Sequence, residues 1–264
     1  MPDSNRIGVL TSTVLLSFAL TRLIQAPEFN LEVQLPGFFL TLPLNISTAM
    51  SLLTAGLTAT GMDWLLRSHP SWNNKPTFQS WLLPTLTTFV IGVPLSILPD
   101  GTAWWTGFAI GGIFLFFVFL AEYIVVDSGA PYYAVAIAGL TAISYTLFFI
   151  LAFALRYGGA RLYILIPALF LAAALASLRI LRLRLTDIWE VAWAIGIAFA
   201  CVQIAAGLHY WTLSPIQFGL MLIGPLYALT NLAINLGEGL PTSRASLEPA
   251  IVNALCWGLA IVIR

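Results

Sequence analysis

Two groups of side chains stand where an apolar chain has little use for them. Glu122 lies in an apolar run five residues before Asp127, about 7.5 Å further into the span at the rise of a helix. It sits toward the C-terminal, negative end of its helix, where the dipole disfavours a carboxylate. It therefore needs a partner, a proton or water, and intramembrane acids of this kind are candidates for ligand or proton handling. The second group is Tyr227, Asn231, Asn235 and Glu238, whose offsets of 4, 8 and 11 residues keep all four on one helix face. Such a stripe either ties neighbouring helices together through hydrogen bonds or lines a polar path opening to one side of the membrane. Arg179 falls at the same expected depth and offers a counter-ion. The expected polar site is thus Glu122, Asn231, Asn235, Glu238 and Arg179, converging in the cytoplasmic half of the bundle.

Other polar residues read as structure. Asp187 and Glu190 have capping-box spacing at the start of a helix. Ser246, Glu248 and Pro249 look like another helix start. Asp63 and Arg67 stand four apart and predict an ion pair along a helix. Pro43, Pro84, Pro94, Pro167 and Pro225 fall within spans, where each frees a backbone carbonyl. Gly107 and Gly111 form a GxxxG that lets one helix approach a neighbour closely.

Several chemistries are absent. His69 and His209, the only histidines, fall on opposite sides of the expected topology, so they cannot share one haem. No HExxH, P-loop or paired acidic diphosphate motif occurs. Cys201 and Cys256 belong to no CxxC pair. Lys75, the single lysine, sits in a polar loop and cannot carry a Schiff base in the bundle. Asp127-Ser128-Gly129 lacks an activating base in sequence reach. Asn45-Ile46-Ser47 matches a glycosylation sequon inside the second expected span. No catalytic residue, metal or cofactor is expected, and the chain leans away from an enzyme.

The elements that must hold these residues are membrane helices. Of 264 residues, 59% are hydrophobic and 8% charged, with a mean hydropathy of +0.93. A soluble domain carries about a quarter charged residues, so a soluble enzyme is excluded. Eleven basic residues balance eleven acidic ones, which leaves no footprint for nucleic acid. Nine stretches are long enough to span. They run over 7–24, 37–66, 81–98, 102–126, 131–156, 161–181, 186–208, 214–236 and 248–263. The fold class is all-α: one polytopic helix bundle over residues 1–264 with about nine spans (eight to ten) and no soluble domain.

Basic residues in short loops set the orientation. With the N-terminus inside, Arg6, Arg67, Lys75, Arg179, Arg182, Arg184 and Arg244 face the cytoplasm. Arg22, Arg156, Arg161 and Arg264 face outward, and this seven-to-four bias predicts N-in. Trp81, Trp104, Trp105, Trp189 and Trp211 fall near span ends, where indoles anchor at the headgroups. The repeat of Ala55-Gly-Leu-Thr-Ala at Ala138 does not extend outward, and no inverted repeat is visible.

Three function classes follow. The leading one is a transporter or permease component for a small or lipophilic solute, in a bacterial plasma membrane. A structural or assembly subunit beside other membrane subunits is the second, and a lipid- or isoprenoid-modifying enzyme the third.

Overall fold

The computed structural model describes residues 4–23, 29–35, 38–44, 46–70, 72, 78–99, 101–127, 129–185 and 190–263. The chain divides into two compact units, Met1–Val126 and Asp127–Arg264.

The first unit holds α1 (Ser4–Leu23), β1 (Phe29–Leu35), β2 (Phe38–Leu44), α2 (Ile46–Arg67), α3 (Phe78–Ile97) and α4 (Thr102–Val125). Along α1, Ile7, Leu10, Val14 and Phe18 recur at helical spacing and are buried, forming one face. They pack with Met62, Leu65 and Leu66 of α2 and with Leu115, Phe119 and Tyr123 of α4. Lipid supplies no hydrophobic drive between helices, so close packing and polar bonds hold such units together. Gly61 lets α2 meet Leu10 of α1 with no room for a Cβ. Thr58 and Thr88, both buried, join α2 to α3 through their hydroxyls at 2.9 Å. The expected GxxxG does pack α4. A Cβ on Gly107 would stand 2.9 Å from Leu98 Cδ1, and one on Gly111 2.8 Å from Ile91 Cγ2. The expected Asp63–Arg67 pair forms at 2.7 Å.

The second expected span needs correction. Its helix begins at Ile46, not at residue 37, because Phe38–Leu44 forms a strand antiparallel to Phe29–Leu35. Alternating Phe, Leu and Thr suit a strand. Pro43 therefore lies in β2 opposite Asn30 and breaks no helix. In a two-stranded sheet each strand has a free edge, which tolerates the missing N–H.

The second unit holds α5 (Tyr133–Tyr157), α6 (Leu162–Arg184), α7 (Val191–His209), α8 (Pro215–Gly237), the short α9 (Thr242–Ala245) and α10 (Leu247–Val262). Helix α8 is central and packs on α5, α6, α7 and α10, while α6 also packs on α5 and α7. Phe148, Leu151, Leu165, Phe218, Leu222 and Leu226 are buried at these contacts. Buried Ala172, Ala173 and Ala176 make α6 slim enough for its neighbours. Helix α7 starts at Val191, with Glu190 at its N-cap and no side-chain capping bond. Glu190 thus precedes the helix instead of closing a box in its first turn, since the helix begins with the apolar run. Asp187 and Trp189 lie outside the described residues, as do Asn45, Lys75 and Ser128.

Among the described residues, six helical stretches are long and apolar enough to cross a membrane. They are α4, α5, α6, α7, α8 and Thr242–Val262, which joins α9 to α10. Shorter apolar stretches occupy Asn5–Leu20 of α1 and Ser80–Ser96 of α3. The membrane-type helical fold holds, while the spans that meet these criteria number six and not nine.

Candidate functional site

The polar face of α8 is the most connected feature of the second unit. Tyr227 Oη donates to Glu248 Oε1 at 2.8 Å. Asn231 Nδ2 donates to Tyr145 Oη at 3.3 Å and to the Tyr227 carbonyl at 3.0 Å. Asn235 Nδ2 donates to the Ala245 carbonyl at 3.0 Å. The Tyr145 and Tyr227 rings stand 5.4 Å apart, and Thr230 lies beside the Tyr145 hydroxyl. Arg184, exposed at the end of α6, is within electrostatic reach of both phenols.

The result is a line of bonded polar groups from the exposed carboxylate of Glu248 to the buried phenol of Tyr145, interrupted by the Tyr227 ring, whose hydroxyl meets Glu248 and whose backbone carbonyl meets Asn231. The i, i+4 repeat of α8 places Tyr227, Asn231 and Asn235 above one another. Gly239, with φ of 82°, takes the left-handed conformation that ends α8. The chain then returns through α9, which sets Ala245 and Glu248 against that face.

Asn231 and Asn235 therefore tie α8 to α5 and α9, which the sequence foresaw as one of two roles. Glu238 is exposed at the C-cap of α8. Arg179 is buried to 4% exposure within α6. Tyr145 and Glu248 as bonding partners were missed, because they lie 86 and 21 residues from Asn231 and Tyr227. An aromatic hydroxyl inside an apolar span was the signal that could have found Tyr145.

The seam between α8 and α10 depends on a proline. Pro225 has no N–H for the Met221 carbonyl, and Trp257 Nε1 of α10 donates to that carbonyl at 3.1 Å. Gly224 admits Asn253 of α10, whose Oδ1 would stand 2.7 Å from a Cβ there. At another end of the unit, Arg156 of α5 donates to three carbonyls at and just beyond the C-terminus of α7. These are His209 at 3.0 Å, Trp211 at 2.8 Å and Leu213 at 3.4 Å. Its guanidinium also lies over the Phe218 ring at 5.5 Å. Ser214 and Gln217 form a capping box at the start of α8. Gln217 Nε2 also donates to the carbonyls of Ala260 and Ile263, at 3.1 and 2.8 Å, closing the end of α10.

An apolar groove of about 360 Å³ opens between α7 and α8. Ala192, Trp193, Gly196 and Ala200 line one wall, Leu229 and Leu232 the other.

Glu122 belongs to the first unit and is 1% exposed. Its carboxylate is not left without an interaction. The next residue, Tyr123, meets His69 edge-on at 4.5 Å, while Arg6 lies 5.3 Å over the Trp64 ring. Asn231, Asn235, Glu238 and Arg179 belong to the second unit.

Apolar helices of this length, joined by buried amide and hydroxyl bonds, define a helical protein of membrane-spanning type. Residues 26–263 match the family described as protein of unknown function (DUF5656), and the chain belongs to that family. Comparison with curated proteins and with solved structures gives no match.

Proposed function

We propose that the protein is a permease component for a small or lipophilic solute, with Glu248, Tyr227, Asn231 and Tyr145 as its polar entry. The polar line along α8 carries this reading. Buried amides and phenols are expensive in a bilayer unless bonded, and here the line ends on a carboxylate open to the aqueous edge. The apolar groove on the other flank of α8 suits a solute with a lipophilic part. In this reading the chain has about nine spans, α1, α2 and α3 included, with the N-terminus inside a bacterial plasma membrane. Glu238 and Arg179 then sit at the cytoplasmic mouth, and Glu122 serves as a further acid of the same function.

The test is extraction of co-purifying small molecules from wild type, Glu248→Gln and Tyr227→Phe, analysed by mass spectrometry. A species held by wild type and lost from both variants, at unchanged thermal stability, is expected. That species should then cross proteoliposome membranes faster when the protein is present. Identical extracts from all three proteins sink the reading.

A second reading, a subunit of a larger complex, is favoured by α10. Its Leu247, Ile251, Leu255 and Leu259 are 52–66% exposed along one stripe.

A further inference from the structure

The exposed side of α7 carries a residue that neither the fold nor the polar line uses. Gln203 is exposed, and its amide makes no hydrogen bond to any described residue. It is the thirteenth of the nineteen residues of α7, about 9 Å from the helix end at helical rise, so it faces hydrocarbon. An unpaired amide there is unfavourable, and Gln characteristically resolves this by bonding across to a neighbouring helix.

The residues around it point the same way. Ala192, Gly196, Phe199, Gln203 and Gly207 recur at spacings of 4, 3, 4 and 4, one stripe along the helix. Beyond the backbone of its own helix, a Cβ added to Gly196 or Gly207 would meet no atom of the described residues within 4 Å. Internal packing therefore does not require glycine at either position. Glycine inside a helix is destabilising relative to alanine, and close approach by a helix from outside offsets that.

We infer that this face of α7 is a homodimer seam, in which Gln203 pairs with Gln203 of a second copy about a two-fold axis parallel to the helices. A carboxamide both donates and accepts, so the same side chain at the same depth is its own complement. A second copy meets that condition by symmetry. Shape agrees. On α7, Phe199 and Ile195 lie on one flank of the Gln203 line, at 58% and 49% exposure. The groove lies on the other flank, beside Trp193 and Ala200. A parallel two-fold turns the Phe199 flank of one copy toward the groove of the other, so each ring has a place to pack. The inference stands apart from the permease reading, since it uses α7 and not the polar face of α8.

The full chain in lipid nanodiscs, counted by single-molecule photobleaching, tests the seam. Wild type is expected to be dimeric. Gln203→Leu should weaken dimerisation about fivefold to tenfold, in line with a lost interhelical polar bond. Gly196→Leu fills open space within one copy and should preserve the fold while blocking the approach of the second. In membranes, Gln203→Cys on a background lacking Cys201 and Cys256 should oxidise to a covalent dimer. Phe117→Cys, also exposed but on α4, should not. A wild-type monomer, a dimer unaffected by Gln203→Leu and Gly196→Leu, or cross-linking at Phe117 equal to that at Gln203 would each overturn the seam.

Discussion

Trp257 of α10 donates its indole N–H to the carbonyl of Met221 at 3.1 Å, the one carbonyl of α8 that Pro225 leaves without its usual partner. A defect in one helix is thereby the attachment point for another. Trp257→Phe should keep the ring's packing and lose this bond, destabilising the protein by about 1 kcal/mol. Pro225→Ala restores an N–H to Met221 and should cancel most of that loss in the double variant. Thermal unfolding of the four proteins in one detergent gives the cycle, and additive losses would show that the bond is not the link.

Arg156 should behave as a clamp on the segment between α7 and α8. Its guanidinium spans the carbonyls of His209, Trp211 and Leu213, and a planar fork does this where an ammonium cannot. Arg156→Lys is expected to lose about 1–2 kcal/mol. Hydrogen exchange should rise across residues 209–214 and stay unchanged in α10. Unchanged exchange there would remove the clamp.

The contact between Gly111 and Ile91 predicts an overpacking effect. Gly111→Ala brings a methyl to 2.8 Å from Ile91 Cγ2, which should cost about 1–3 kcal/mol. Ile91→Ala removes the obstructing methyl, so adding Gly111→Ala to it should be neutral or stabilising. Unfolding midpoints of the single and double variants decide this.

Helix α8 must place its two ends on opposite sides of the membrane if it spans. Thr212 and Ser243 are both exposed and flank it. On a background lacking Cys201 and Cys256, Ser243→Cys should react with an impermeant thiol reagent only after permeabilisation. Thr212→Cys should react in intact cells. The reverse pattern would invert the N-in orientation, and labelling of both from outside would remove α8 as a span.

Composition and periodicity alone determined the class of protein and where nearly all helices run, because a bilayer requires long apolar helices whatever they pack against. The i, i+4 pattern of Tyr227, Asn231 and Asn235 was equally legible, as were the Asp63–Arg67 pair and the Gly107/Gly111 approach. All of these lie within one helix or declare their own geometry. The hairpin at Phe29–Leu44 was not legible as such, since a short apolar run fits a strand or a helix until its length and partner are known. What only the tertiary structure decided is which polar groups meet. Tyr145 reaches Asn231, Glu248 reaches Tyr227, Arg156 reaches the carbonyls at the end of α7 and just beyond it, and Trp257 finds the carbonyl that Pro225 released. Each joins residues far apart in the chain whose own neighbourhoods are unremarkable. A polar atom in an apolar medium must be satisfied, but the sequence names only the need, and the packing of the helices names the partner.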